Sequence, residues 1–236
     1  MLSKEEIIAK TKTVFNAAAD HFDDPALSFW NRFGQKIVNR LALQTGDLVL
    51  DVCCGTGSSA IPAAHIVGPT GQVLGVDLAE SLLALAQEKV RSQNLNNIEF
   101  RCADFETLGF PNGSFDAIVC NFGIFFVPDM EAGLRELWRL LRPGGKLALT
   151  SWGKQIFEPA NRNFLTVLES NWSEFVRKPL PWEQINEPIS FRDLLATTGA
   201  GEITISTESI IHLLTSPEDW WTIVIGAGYR GMIDQL

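Results

Sequence analysis

Short apolar runs alternate with helix-patterned segments through the middle of the chain, and this alternation leaves few folds open. Five runs have the length and composition of buried strands, at 48–52, 73–77, 98–102, 115–120 and 146–150. Continuous apolar runs of this kind are typical of parallel strands covered on both faces. Strands separated by single helices form a doubly wound sheet with right-handed crossovers. We therefore predict an α/β fold with a doubly wound, mostly parallel sheet.

The sequence on either side of this alternation predicts further segments. We expect an N-terminal helical lid at 1–45, a core at 46–152, an inserted cap at 153–190, and the rest of the sheet with a helical tail at 191–236. The run Glu202-Ile203-Thr204-Ile205-Ser206 is predicted to be a sixth strand. The pattern at 210–214 leaves strand and loop open.

The charge and the hydrophobicity of the chain exclude two kinds of partner, nucleic acid and the membrane interior. Among 236 residues, 19 Lys+Arg and 28 Asp+Glu give a net charge of −9. A protein that binds nucleic acid through phosphates normally has the opposite charge or a basic block. No run approaches the roughly 20 apolar residues that span a bilayer, and the charged N-terminus lacks the apolar core of a signal peptide. We expect no nucleic-acid partner, no transmembrane segment and a cytoplasmic location.

The four cysteines do not have the spacing of a metal site or of a disulfide framework. They are Cys53, Cys54, Cys102 and Cys120, and no two of them form a C-x-x-C pair. We predict that they act as small, partly buried hydrophobic residues and that the chain holds no metal.

The loop after the first strand is the expected ligand site, because ligands of open parallel sheets bind beyond the carboxyl ends of the strands. The run Gly55-Thr56-Gly57-Ser58-Ser59-Ala60 satisfies the dinucleotide fingerprint G-x-G-x-x-A, and Asp77 ends the second strand. Taken alone, this match fits NAD as readily as another nucleoside. It predicts where a ligand binds without predicting which one.

Asp51, at the end of the first strand, favours a cationic ligand over a diphosphate. A carboxylate against this loop repels a pyrophosphate by a few kcal/mol at short range and intermediate dielectric. The same carboxylate suits S-adenosylmethionine, which has an α-ammonium, a sulfonium and no phosphate. Asp77 does not discriminate, because a ribose needs the same partner in either ligand. An alternative for Asp51 is a structural role as a helix N-cap or turn residue.

The ends of the third and fourth strands fit the same ligand. Ala103 and Asp104 follow the third strand, where a carboxylate can accept a hydrogen bond from an adenine amino group while Phe105 packs on the ring. Asn121 and Phe122 follow the fourth strand, which lies beside the first in such a sheet. Asp and Asn are ordinary loop residues, so the prediction depends on all four strand ends together.

These segments resemble those of class I S-adenosylmethionine-dependent methyltransferases over residues 14–152. Within that class, the chain resembles the branch of ubiquinone/menaquinone biosynthesis C-methyltransferases (UbiE-type), which share a Rossmann-like methyltransferase fold. The segments that carry the resemblance are Leu50-Asp51-Val52-Cys53-Cys54-Gly55-Thr56-Gly57, Gly75-Val76-Asp77-Leu78, Ala103-Asp104, Phe110-Pro111-Asn112-Gly113-Ser114-Phe115-Asp116, Asn121-Phe122-Gly123-Ile124, Val127-Pro128-Asp129 and Leu141-Arg142-Pro143-Gly144-Gly145.

The resemblance implies S-adenosyl-L-methionine as the cofactor, with S-adenosyl-L-homocysteine as the product. It implies that Asp51, Gly55 and Gly57 hold the methionine moiety, Asp77 the ribose, Asp104 and Phe105 the adenine, and that Asn121 lies near the methyl group. The full predicted set is Asp51, Cys53, Gly55, Thr56, Gly57, Asp77, Leu78, Ala103, Asp104, Phe105, Asn121 and Phe122.

The chain departs from the family pattern at two places. Cys53 replaces the first glycine of the usual loop, which the menaquinone-type members tolerate. Ile124-Phe125-Phe126 replaces a segment in which quinone-modifying members carry Arg-Asn. Because those polar groups are absent, the sequence does not predict a quinol as the acceptor.

The acceptor site is predicted to be apolar and aromatic. The chain has seven Trp and fifteen Phe against one Tyr, and many of these rings fall in segments that overlie the strand ends. The predicted substrate pocket consists of Phe29, Trp30, Phe125, Phe126 and Trp152. His21 is the candidate general base, with a capping or solvated role as the alternative.

We therefore predict an S-adenosylmethionine-dependent methyltransferase that acts on carbon or oxygen of an apolar, aromatic or polyketide-like small molecule. Two alternatives stay open: an NAD(P)-dependent oxidoreductase, and a non-catalytic module that binds S-adenosylmethionine. The predicted partner is the apolar acceptor, and assembly into a homodimer is left open.

Overall fold

A computed structural model of the chain describes residues 3–176 and 179–236. Residues 1 and 2 of the predicted lid, and 177 and 178 of the predicted insertion, lie outside the described residues. The centre of the fold is a five-stranded parallel sheet in the order β3-β2-β1-β4-β5. The strands are β1 Leu48–Val52, β2 Gln72–Asp77, β3 Ile98–Cys102, β4 Phe115–Cys120 and β5 Leu141–Leu149.

Helices cover both faces of this sheet. They are α1 Lys4–Ala18, α2 Phe29–Leu41, α3 Ala60–Val67, α4 Glu80–Ser92, α5 Met130–Leu140, α6 Ala160–Trp172, α7 Pro188–Ala196, α8 Pro217–Ile225 and α9 Arg230–Ile233. Short 3₁₀ turns occur at 25–27, 105–107, 124–126, 173–175 and 181–185. The predicted α/β class with a doubly wound parallel sheet is confirmed.

Alternate residues of the strands explain why helices pack on both sides. Val49 and Val119 belong to the apolar cluster of α2 and α3, whereas Leu50 and Ile118 belong to the cluster that contains the buried face of α5. Successive side chains of a strand point to opposite faces, so a continuous apolar run needs two apolar covers. The strand sequence therefore predicts the two helical layers directly.

The order of the strands reverses between β1 and β4, which are hydrogen-bonded neighbours although they are not consecutive. Strands β2 and β3 follow β1 on one side of it, and the later strands β4 and β5 lie on the other side. The loops after β1 and β4 therefore leave the sheet side by side at its carboxyl edge. A crevice at such a reversal is the usual ligand site of this architecture.

The predicted sixth strand at 202–206 does not form. Residues 203–214 have no regular secondary structure and are not assigned to the sheet, whose edge strand on this side is β5. Glu208 forms ion pairs with Lys36 and Arg40 of α2, and a ring nitrogen of His212 lies 2.8 Å from the carbonyl oxygen of Ala26. These contacts hold the segment against α2 and the turn before it.

Strand β5 begins earlier than the predicted 146–150. The chain turns into the strand directly after α5, at Leu141, where Phe115 pairs with it. The register shifts between Phe115 and Ala117, because β5 has more residues than β4 in this interval, around Pro143. Regular pairing resumes at Lys146. The helix ends at Leu140, before the Pro143-Gly144-Gly145 run, and that run does not end the pairing of β5 with β4.

Among the described residues, none of the helices has the length and apolarity needed to cross a bilayer. The same residues contain no group of three or more His, Cys, Asp or Glu side chains that could hold a metal ion.

Helix α2 packs so closely on the loop after β1 that no side chain fits at Gly34. A Cβ atom on Gly34 would lie 2.1 Å from the carbonyl oxygen of Ser58, which is far inside van der Waals contact. The obstacle is backbone, which cannot rotate away as a flexible side chain would.

We expect Gly34→Ala to lower the thermal unfolding midpoint. In an open helix this change stabilises by about 1 kcal/mol, whereas overpacking a closed site costs roughly 1–3 kcal/mol or more. Gly153→Ala is the control, because nothing lies within 4 Å of its Cβ position. Calorimetry should show a clear loss only for Gly34→Ala, and equal midpoints would contradict the close packing.

Candidate active site

A cavity of about 1250 Å³, including its mouth, lies at the carboxyl edge of the sheet where β1 meets β4. Its floor comes from the strand ends, and its cover comes from α1, the turn after it, α2 and the stretch 227–229. Nine predicted cofactor residues line it: Cys53, Gly55, Asp77, Leu78, Ala103, Asp104, Phe105, Asn121 and Phe122. The other three, Asp51, Thr56 and Gly57, lie behind this lining or beside it.

The loop after β1 is held in a left-handed backbone conformation at three places. The φ angles are 55° at Cys53, 54° at Gly55 and 86° at Gly57. Glycine adopts such angles without steric cost, and cysteine does not. The loop therefore turns sharply and presents its backbone to the cavity. Cys53 stands where the usual loop has its first glycine, so its left-handed backbone conformation is strained.

Cys53 also packs tightly against the loop after β4. A Cβ atom on Gly123 would lie 2.3 Å from Cys53 Cβ and 2.8 Å from its Sγ. A hydrogen bond with Cys120, together with burial, raises the pKa of the Cys53 thiol well above its usual range. The thiol is therefore neutral at pH 7, which makes it part of the wall rather than a nucleophile.

Asp77 fixes the geometry between the ends of β1 and β2. Its Oδ2 accepts a hydrogen bond from Gly55 N at 2.9 Å, and its Oδ1 accepts one from Ala79 N at 2.9 Å. Burial raises the pKa of this carboxyl, and the backbone hydrogen bonds act in the opposite direction. Each carboxylate oxygen has a second lone pair, so Asp77 can also accept from two hydroxyl groups in the cavity.

Asp51 is fully buried and only half satisfied. Its Oδ2 accepts from Ser59 Oγ at 2.7 Å, whereas Oδ1 has no hydrogen-bond partner. Burial raises the pKa of Asp51 to about 7, although the hydrogen bond from Ser59 lowers it. A buried carboxylate oxygen without a donor is costly. Either a proton or a cationic group in the adjoining cavity would compensate this oxygen, which lies behind the cavity lining.

Asp104 and Phe105 follow β3 and line the cavity together. Asp104 Oδ1 accepts from Glu106 N at 3.0 Å and so caps the short turn at 105–107. The ring of Phe105 is buried. This places a carboxylate and an aromatic ring next to each other, as expected for an adenine subsite.

Thr150, which the sequence analysis missed, fixes the end of β4. Its hydroxyl donates to Asn121 Oδ1 at 2.9 Å and accepts from Phe122 N at 2.8 Å. Phe122 has a φ of 56° and stacks on Trp152, with ring centroids 4.0 Å apart. A polar residue that ends β5 beside β4 was the available signal.

The face of α1 that lines the cavity was also missed. It consists of Ile8, Thr11, Lys12 and Phe15. These positions recur at steps of three, one and three residues, which places them on one face of a helix. Helical periodicity was therefore enough to find the face, but not to show that it covers a ligand.

Four of the five predicted pocket residues line the cavity: Phe29, Trp30, Phe126 and Trp152. The fifth, Phe125, lies outside the lining and is buried against Phe126 and Trp182. In the 3₁₀ turn at 124–126 the side chains point in different directions, so only one of the two adjacent rings reaches the cavity. Three further rings outside this set of five, Phe157, Trp182 and Tyr229, complete the wall.

His21, the predicted general base, does not line the cavity. It lies in the turn after α1, and its Cβ packs against Gly226. The neighbouring Phe22 lines the cavity and His21 does not. The structure therefore does not place His21 among the residues that face the acceptor space.

These residues fit S-adenosylmethionine and fit a dinucleotide poorly. Asp77 lines the cavity and keeps free lone pairs for ribose hydroxyls, and the Asp51 carboxyl behind the lining, with its unpaired Oδ1, favours a cation over an anion nearby. A pyrophosphate at the same loop would meet a second buried anion instead. The fold and this site define the class of S-adenosylmethionine-dependent methyltransferases.

The chain belongs to the ubiE/COQ5 methyltransferase family, whose model matches residues 3–171. It is 36% identical over 180 residues to a demethylmenaquinone methyltransferase of Listeria welshimeri, an alignment that covers 70% of this chain and 73% of that protein. It is 32% identical to a demethylmenaquinone methyltransferase of Lactobacillus johnsonii, over 70% of this chain and 66% of the relative. The matched part thus spans about two thirds to three quarters of these relatives.

A solved structure shares the fold. The crystal structure of an S-adenosylmethionine-dependent methyltransferase from Aquifex aeolicus superposes with a TM-score of 0.60 at 23% identity, covering 78% of this chain and 87% of that one. At this identity the likeness shows the architecture alone. With the family established, the predicted enzyme class and cofactor are confirmed, and the oxidoreductase alternative is not supported.

Asp51→Asn should separate ligand binding from stability. The Asp51 pKa is about 7 in the folded protein and about 3.9 in an unfolded chain. Between these values the folded state binds more protons, so the ionisation of Asp51 lowers the free energy of unfolding as pH rises through this range. At pH 8 we expect Asp51→Asn to unfold at a temperature no lower than the wild type, as measured by calorimetry.

The same variant should bind S-adenosylhomocysteine at least about tenfold more weakly at pH 8, a loss of about 1.4 kcal/mol. Wild-type affinity should fall as pH decreases below 7, because protonated Asp51 offers no charge to an ammonium group. The affinity of the variant should vary less. Titration calorimetry at pH 5.5 and 8 tests this, and equal affinities of the two proteins at pH 8 would contradict the assignment.

Proposed function

We propose that the chain transfers a methyl group from S-adenosylmethionine to carbon or oxygen of an apolar, aromatic or polyketide-like small molecule. The observation that carries this proposal is that the cavity has one charged part and one uncharged part. Among its described lining residues, charged side chains come only from α1 and from the ends of β2 and β3: Lys12, Asp77 and Asp104. The remaining lining residues are uncharged, and eleven of them are aromatic, which leaves an uncharged space for the acceptor.

The residues of the chain would bind and orient both reactants. S-adenosylmethionine supplies an electrophilic methyl group on a sulfonium. Asp51 would attract the ammonium group, Asp77 would accept from the ribose hydroxyls, and Asp104 would accept from the adenine. Alignment of a nucleophile with such a methyl group accounts for roughly 7–11 kcal/mol in well-oriented reactions. Positioning and exclusion of water are therefore the main tasks of the protein.

The aromatic wall would perform both tasks for the acceptor. Trp152 stacks on Phe122, Trp30 stacks on Phe22, and both tryptophans contact Phe29. Interlocked rings resist motion and keep water from the reacting atoms. Their π faces also favour a cation nearby, which suits a sulfonium in the same cavity.

The acceptor is proposed to differ from that of the named relatives in its polar contacts. The relatives are named for demethylmenaquinone, whereas this chain has Ile124-Phe125-Phe126 where the quinone-modifying pattern has Arg-Asn. Ile124 and Phe125 are buried, and only Phe126 reaches the cavity. An apolar ring-bearing molecule without strong hydrogen-bonding groups at this end fits that wall best.

The acceptor would ionise without a histidine base. Among the described lining residues there is no histidine, and His21 lies in the turn after α1, outside that lining. A general base contributes when a reacting group must lose its proton in the transition state. The proposed acceptors are therefore acidic phenols or enols, which provide their own nucleophilic oxygen or carbon.

Two assays test this function. In thermal shift, S-adenosylhomocysteine should stabilise the protein and NAD should not. The protein should then be incubated with methyl-labelled S-adenosylmethionine and a panel of quinols, phenols and lipid-like acceptors, with products detected by mass spectrometry. Labelled product from an apolar phenol or enol supports the proposal. Binding of S-adenosylhomocysteine without turnover on any acceptor would favour a non-catalytic binding module instead.

Phe126→Ala should weaken acceptor binding alone. Phe126 lines the cavity between Phe15 and Gly228, and its removal opens the acceptor wall without touching the ends of β1 and β2. We expect the acceptor KM to rise about tenfold, equivalent to about 1.4 kcal/mol, with cofactor affinity within about twofold of wild type.

Phe110→Ala is the matched control, because this ring packs on Phe115 and does not line the cavity. It should leave the acceptor KM unchanged. If Phe126→Ala reduced acceptor and cofactor affinity equally, the ring would only be packing the fold.

A further inference from the structure

Three polar residues just outside the cavity form a closed hydrogen-bonded cluster. Lys89 Nζ lies 2.6 Å from Asp23 Oδ1, 2.8 Å from Thr56 Oγ1 and 3.2 Å from Thr56 O. The Thr56 hydroxyl donates in turn to Asp23 Oδ1 at 2.8 Å. An ammonium group has three N–H donors, and each has an acceptor here. None of these residues lines the cavity.

The cluster joins three elements that are distant in sequence. Asp23 belongs to the turn between α1 and α2, Thr56 lies in the loop after β1, and Lys89 lies on the last turns of α4. Lys89 contacts both the side chain and the carbonyl oxygen of Thr56. It therefore fixes the direction of a peptide group in the loop that faces the ligand.

Asp23 is adjacent to the residue that covers the loop. Phe22 lines the cavity, and a Cβ atom on Gly55 would lie 3.3 Å from its ring. The Phe22 ring also stacks on Trp30, with centroids 5.4 Å apart and planes 5° from parallel. Because Phe22 directly precedes Asp23, the hydrogen bonds of Asp23 to Thr56 and Lys89 also hold the Phe22 ring over Gly55.

The solvent exposure of the Lys89–Asp23 ion pair indicates how much the pair contributes to stability. The side chains of Lys89 and Asp23 are 29% and 32% exposed. Solvent screens ion pairs of this kind, and their contribution to global stability is small. A partly exposed cluster can still fix one local arrangement, because opening it releases a turn without unfolding the core.

We infer that Lys89 and Asp23 are positioning residues for the cofactor: through Thr56 and Phe22 they hold the turn after α1 closed on the loop after β1. This inference rests on the proposed function, since it concerns retention of S-adenosylmethionine. Their loss should weaken and shorten cofactor binding. It should leave the acceptor site and the methyl-transfer step unchanged, because neither residue reaches the aromatic wall.

The test compares Lys89→Met, Asp23→Ala and the double variant with wild type. We expect the Kd of S-adenosylhomocysteine, measured by titration calorimetry, to rise about tenfold in each single variant and little further in the double variant. A rapid-filtration chase of tritiated S-adenosylhomocysteine should show faster release. In turnover, the KM of S-adenosylmethionine should rise while kcat at saturation stays within about twofold.

Lys36→Met is the control, because Lys36 also pairs with a carboxylate, Glu208, but this ion pair joins α2 to the segment 203–214 and not to the loop after β1. It should leave cofactor affinity unchanged. Wild-type affinity for the cofactor product within twofold in both Lys89→Met and Asp23→Ala would overturn the inference. Failure of the wild type itself to bind S-adenosylhomocysteine would instead refute the proposed function. Circular dichroism and thermal unfolding identify a variant that has not folded, in which case Thr56→Val replaces it.

Discussion

The parallel pairing of β1 with β4 is the constraint on which the site depends. It places two loops side by side that are more than sixty residues apart in sequence, one rich in glycine and one beginning with Asn121. Neither loop could form a binding site alone, because each supplies only one wall. The flanking helices and the lid then pack according to the space that these two loops leave.

Stability and ligand recognition oppose each other at the end of β1. A neutral side chain at position 51 would be easier to bury than a carboxylate with one unpaired oxygen. In the proposed function, attraction between this acid and a cationic ligand would offset that cost. The raised pKa of Asp51 reflects this opposition, since it measures how strongly the site disfavours an uncompensated charge.

The sequence was most informative where one local pattern allowed one structure. Apolar runs and the glycine loop predicted the strands and the position of the cavity, because their periodicity and backbone requirements are local. The alternation at 202–206 misled, because an irregular segment has the same sequence pattern as a strand here, and its continuation is bonded through Glu208 to α2 and through His212 to the turn before α2. The cluster of Asp23, Thr56 and Lys89 could not be foreseen, since its members are 33 and 66 residues apart.

The tight approach of Cys53 to Gly123 ties the sizes of two residues together. The cysteine side chain occupies the volume that a methyl group on Gly123 would need. Exchange of Cys53 for glycine would relieve its backbone strain and remove the two closest obstacles, leaving Cys120 Sγ at 3.0 Å. A larger residue at position 123 would therefore require a smaller one at position 53. Homologues should accordingly show correlated substitutions at these two positions.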